Sequence, residues 1–286
     1  MRRESWLIKI WNILWPLTIY LLAQNVLMIV WMVIAKENYE KYVSAAILSA
    51  AMICIPIYYR MYREDRISAR EKRKNKPLGS QDLAFVILSG ASLALLMNNV
   101  ISITPLPYLF NGYEDVNDVI YGGGYILQIL GAGIFCCIVE ELSMRGIVYL
   151  RIRRYWGKNT AVVVSALIFG IYHLNLVQGV YAFFLGLFFA WIFEKYDTLW
   201  APIIAHISAN LFIIILSGSD VLGRLMSTWF GFCLVTGIAL LVFYFSWHWL
   251  KENGQCRELE FVEKDADNIK DLAQEYKRKT EEEEKE

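Results

Sequence analysis

The chain has no excess of either charge sign, no metal-type cysteine spacing and no nucleotide-binding loop, and each absence removes a class of protein. Lys and Arg together number 28 and Asp and Glu together 28, so nothing marks nucleic acid as a partner. Of the 5 cysteines, Cys54, Cys136, Cys137 and Cys233 lie inside apolar runs and Cys256 in a charged tail, which is neither a disulfide framework nor a ligand pattern. We read them as structural. No internal repeat is seen, and the repeated broken helices that mark many transporters are missing with it. Charge is also missing by position: 57% of residues are apolar and 20% charged, and the charged ones gather in blocks between long apolar runs. Several runs reach the ~20 residues that cross a bilayer core ~30 Å thick.

These runs predict an all-α, polytopic membrane protein, a bundle of about eight transmembrane helices. The spans are expected at about Trp11–Ala35, Tyr42–Tyr59, Leu83–Ile103, a long fourth from near Ile120 to the block RIRRYWGK, then Thr160–Leu174, Val180–Phe193, Leu199–Leu216 and Thr228–Leu250. The segments NLVQG, EKYDT and SGSDVLGR read as short links. The basic, then apolar, N-terminus has no small-residue cleavage site and is expected to remain as the first span. Between Arg60 and Lys76 stand 8 Lys or Arg residues; the positive-inside rule puts this loop in the cytoplasm. The loop around Glu114 then faces outside, and eight crossings leave both termini cytoplasmic in the cell membrane. Three regions follow: a helix pair with the basic loop (1–80), a membrane-embedded core (81–250) and a charged tail (251–286).

Ionisable groups inside a bilayer cost several kcal/mol each on insertion scales (about 2.5–3.5), so those present mark function. They are few. The fourth span carries Glu140, Glu141 and Arg145, the fifth His173, and the seventh His206 and Asn210; the remaining histidine, His248, has the aromatic neighbours of an interfacial residue. Glu141 and Arg145 share a helix face at i and i+4 and can pair. Glu140, rotated by about 100°, is left as the freer carboxylate and the candidate base. The two could exchange roles. His206 and Asn210 also share a face, as do Phe169 and His173. Counting ~1.5 Å per residue from the cytoplasmic ends, Glu140, His173 and His206 lie at similar depths in the inner half of the membrane. Such a set suits hydrolysis, with Glu140 and His173 deprotonating a water and His206 and Asn210 donating to an oxyanion.

At these residues the chain resembles the CAAX-protease and bacteriocin-processing (CPBP, or Abi) family of intramembrane proteases. The family's paired glutamates with arginine four after the second stand here as Glu140, Glu141 and Arg145. Its phenylalanine with histidine four later stands as Phe169 and His173, and its histidine with asparagine four later as His206 and Asn210. The resemblance implies an eight-helix fold with a cavity open to the cytoplasm, a glutamate-activated water, and cleavage of a peptide bond in a membrane-associated, lipidated or leader-bearing protein or peptide. Members are described both as metalloproteases and as metal-independent glutamate proteases. The sequence has no HExxH, so zinc would need Glu140, His173 and His206 from three helices; no obligatory metal is expected. The alternative on the same scaffold is a non-proteolytic bacteriocin-immunity or regulatory membrane protein.

Overall fold

The computed structural model describes residues 5–36, 42–68, 78–109 and 124–254, all in helices and their connections. Among the described residues there are eight long helices: α1 (Trp6–Ala35), α2 (Val43–Ser68), α3 (Ser80–Ser102), α4 (Tyr125–Trp156), α5 (Lys158–Tyr172), α6 (Leu176–Tyr196), α7 (Trp200–Ser217) and α8 (Trp229–Asn253). Short helical turns at Leu106–Leu109 and Asp220–Met226 stand beside them. Seven of the eight are long and apolar enough to cross a membrane; the protein is a polytopic all-α membrane protein. The eighth, α5, has 15 residues. At ~1.5 Å each they reach ~22 Å, short of a ~30 Å core, so one end of α5 lies at membrane depth.

α3 packs between α7 and α8, α5 lies against α6, and α1 and α2 pair beside α4. Only 11% of the apolar stretch of α1 and 17% of that of α8 is buried, against 56% for α3. The first two are therefore peripheral and turn Trp6, Val33, Trp229, Phe230 and other large apolar side chains outward, a cost in water and none against acyl chains. Small residues let the inner helices approach. A Cβ built at Gly90 of α3 would meet the Ala205 carbonyl and the Ser208 hydroxyl of α7, and one at Gly170 of α5 would stand 2.6 Å from the Gly179 carbonyl of α6.

One end of the bundle is bound by ion pairs. Arg151 makes a two-pronged contact with Asp65 at 2.6 and 2.9 Å and also donates to the Asn12 carbonyl. Arg153 and the Tyr149 hydroxyl meet Glu194 at 3.0 and 2.7 Å. The blocks expected on one side of the membrane, near Asn12, Asp65 and Arg151, are thus at one end of the molecule. Arg60, Arg63 and Arg66 do not belong to a loop, however: α2 continues to Ser68, because past Tyr59 the chain still carries good helix formers and the Arg60–Glu64 pair at i and i+4. The rest of the basic block, the loop around Glu114 and the tail beyond Gly254 lie outside the described residues.

The segment NLVQG is no link. The Asn175 side chain accepts from the Val177 and Gln178 amides and caps α6, so the following residues are its first turn. In SGSDVLGR, Ser219 likewise caps a short helix. The fourth span is one helix from Tyr125 to Trp156, but it is π-helical at Ile129–Phe135 and Met144–Tyr149, on either side of the α-helical turn Cys136–Ser143. Such widened turns commonly mark functional positions, where they re-aim side chains.

Candidate active site

A cavity of about 550 Å³ opens among α1, α2, α3, α4, α5, α6 and α7, and Glu140, Phe169, His173, His206 and Asn210 all line it. Three helices, α4, α5 and α7, thus gather the residues that the three motifs contain. Among the described residues Glu140 is the one carboxylate on the cavity wall. Its Oε1 accepts the Cys136 thiol hydrogen at 3.1 Å, and its Oε2 lies 3.7 Å from His206 Nε2. Glu141 points the other way and has no exposed surface. Its Oε1 takes Arg145 Nη1 at 2.9 Å and His206 Nδ1 at 2.9 Å, while Oε2 is buried without a partner.

Arg145 is also wholly buried. Besides Glu141 it donates Nη2 to the Gly186 carbonyl at 2.9 Å, and its guanidinium lies 4.9 Å from the Phe169 ring centre and 5.4 Å from that of Phe189. A planar cation between two ring faces, with a carboxylate at its edge, is compensated as far as an apolar interior allows. The same rings fix the histidines. Phe189 stacks on His206 at 4.8 Å, and Phe169 meets His206 and His173 edge-on at 5.8 and 4.9 Å. Phe169 is therefore a common wall for both imidazoles and the arginine.

His173 does not lie within a helix, as the sequence suggested. α5 ends at Tyr172; His173 is its C-cap, and Leu174 follows with φ of 54°. His173 Nδ1 is 2.8 Å from the Phe169 carbonyl. Since a carbonyl only accepts, Nδ1 carries the hydrogen, and in the neutral ring Nε2 keeps its lone pair. For His206 the contact of Nδ1 with Glu141 sets the same tautomer when the ring is neutral, with Nε2 turned to Glu140. Asn210, one turn further along α7, donates Nδ2 to the Ala132 carbonyl at 3.0 Å and to Cys137 Sγ at 3.3 Å. It ties α7 to the first π-helical segment of α4. His248 stacks on Tyr244 at 6.1 Å, away from the cavity lining.

The metal fit fails on the donor set. Among the described residues no three His, Cys, Asp or Glu side chains form a group that could hold a metal ion. Glu140 and His206 offer two donors, and His173 does not complete a set with them.

Sequence reasoning missed Phe189, the Gly186 carbonyl and Cys136. The first two act across α6, whose all-round apolar sequence gives no sign of which ring faces the site. Cys136 had a signal: it stands at i−4 from Glu140, on the same helix face.

A multi-pass membrane protein with a carboxylate and two histidines on a buried cavity is the class that fold and site define. Residues 122–212 match the family described as Type II CAAX prenyl endopeptidase Rce1-like. The chain is also 30% identical over 90 residues to a protein of Bacillus subtilis (strain 168), "Putative membrane peptidase YdiL". That similarity covers 32% of this chain and 37% of the relative, so the chain spans well under half the length of the curated relative it matches. No solved structure matches. The two matches support the CPBP family and, in the first case, fall on the segment that holds all but the last few residues of the cavity-lining α7.

Proposed function

We propose that the protein is a membrane-embedded endopeptidase that hydrolyses a peptide bond of a membrane-associated protein or peptide. The observation that carries this reading is the isolation of Glu140: among the described residues it alone presents a carboxylate to the cavity, while Glu141 is neutralised by Arg145. A water between Glu140 and His173 Nε2 would give up a proton to the carboxylate and attack the scissile carbonyl. The new oxyanion would take hydrogen bonds from His206 and Asn210. His206 Nε2 donates only when the ring carries both protons. Asn210 has one hydrogen on Cys137, and a thiol sulfur is so weak an acceptor that an oxyanion displaces it readily. Glu140 would then return the proton to the leaving amine, and both products diffuse from the site.

The cavity wall suits a peptide. Apart from the groups above and the Cys136 thiol, the polar side chains of its lining are carboxamides and phenols, from Gln24, Asn25, Asn98, Gln178, Tyr172 and Tyr181, groups that bond an uncharged backbone. With the ion-paired end of the bundle in the cytoplasm, both termini lie there too. The test compares peptides released from membranes holding the wild type or Glu140→Gln, followed by cleavage of the identified substrate by purified protein in liposomes. Identical peptide patterns would refute the peptidase reading and leave a regulatory or immunity role on the same scaffold.

A further inference from the structure

Cys136 is a group on the cavity wall that the reaction above leaves unused, and it touches both Glu140 and the first helix. It stands one turn before Glu140, with Sγ 3.1 Å from Oε1. Tyr20 of α1, 1% exposed, donates its hydroxyl to the same sulfur at 3.6 Å. The tyrosine is held in turn. Pro16 interrupts α1, and the Tyr58 hydroxyl of α2 donates to the Pro16 carbonyl at 2.7 Å while accepting the Tyr20 amide at 3.2 Å. A hydroxyl is thus inserted into the turn between Pro16 C=O and Tyr20 N–H.

We propose that Cys136 and Tyr20 are positioning residues for Glu140, so that the first helix, outside the family-matched segment 122–212, is part of the catalytic apparatus. The inference rests on Glu140 being the water-activating base. A carboxylate is free to turn about its last bond, where the torsional preference is broad. A hydrogen held on Oε1 fixes that plane and leaves Oε2 toward His206 and the cavity. A thiol has a single hydrogen and a sulfur that accepts weakly. With the Tyr20 hydroxyl on the sulfur's lone pair, the S–H is directed to Glu140.

The experiment uses the full chain in liposomes with Cys136→Ser, Cys136→Ala, Tyr20→Phe and the double variant Tyr20→Phe/Cys136→Ala. Serine donates to the same oxygen, so its kcat stays within about twofold, whereas alanine lowers kcat roughly tenfold with KM little changed. Tyr20→Phe lowers kcat about threefold alone and adds nothing in the Cys136→Ala background, because its effect runs through the sulfur. Equal kcat for alanine and wild type, or an additive Tyr20→Phe effect, overturns the proposal. A readout independent of turnover is the infrared S–H stretch, assigned by its loss in Cys136→Ala. It is expected at the lowered frequency of a bonded thiol, moving to the free-thiol position in Glu140→Ala. A free-thiol band already in the wild type overturns the contact itself, while full turnover by Glu140→Gln overturns the base assignment; the two failures are read separately.

Discussion

Replacing Glu140 or Glu141 with glutamine should damage two different properties. Glu141→Gln removes the one carboxylate bonded to Arg145 among the described residues, where the arginine side chain has no exposed surface and its Nε already lacks a partner. The Gly186 carbonyl and two ring faces remain, but they carry no net charge. Removing one member of a buried pair costs about 3–5 kcal/mol, because the other charge stays buried. Against a total stability of about 5–15 kcal/mol, that is a large part of the fold, and His206 loses its Nδ1 anchor as well. Glu140→Gln leaves an acceptor for Cys136 and disturbs only a 3.7 Å contact with His206, so its stability should stay within about 1 kcal/mol of wild type. It cannot take a proton, and turnover should fall by at least roughly 100-fold to 10,000-fold. Thermal or denaturant unfolding in detergent, paired with cleavage kinetics, separates the two. Wild-type turnover in Glu140→Gln, or wild-type stability in Glu141→Gln, would refute the division of roles.

Three further outcomes are expected. Asn210→Ala should lower kcat by roughly 100-fold to 1000-fold with KM little changed, as for loss of an oxyanion donor; a raised KM with unchanged kcat would assign the residue to substrate binding. Gly90→Ala should destabilise the fold by about 1–3 kcal/mol and lower turnover, since the added methyl meets the Ala205 carbonyl next to His206, and unfolding curves like those of the wild type would show that α7 shifts freely. A cysteine placed at Asn75, in a chain without its native cysteines, should react with an impermeant thiol reagent only after the membrane is opened; labelling from outside intact cells would reverse the topology.

The helices and the pairing of Glu141 with Arg145 were legible because both depend on local spacing. Apolar runs of bilayer length must satisfy their backbone internally and so become helices, and residues four apart on a helix meet whatever surrounds them. The sequence also singled out Glu140, His173, His206 and Asn210, since polar groups in such runs are too costly to be incidental. Helix ends were less legible. Asn175 resembles a link residue until its side chain is seen capping α6, and Arg60 to Arg66 resemble a loop because charge and helix propensity give opposite signals there.

What only the tertiary structure decided is which groups each polar atom faces. No spacing rule tells that Glu141 shares one oxygen between Arg145 and His206, that Phe169 and Phe189 enclose the guanidinium, or that Asn210 holds the Ala132 carbonyl. These contacts join α4, α5, α6 and α7, and they depend on helix rotation and on the π-helical segments of α4, which shift the side-chain register by an amount that periodicity cannot supply. The sequence by itself determined that this is a helical membrane protein with a small polar group at its centre. The packing decided that Glu140 lines the cavity beside His206 while α5, α6 and α7 enclose the Glu141–Arg145 pair, because that depends on distances between helices far apart in the chain.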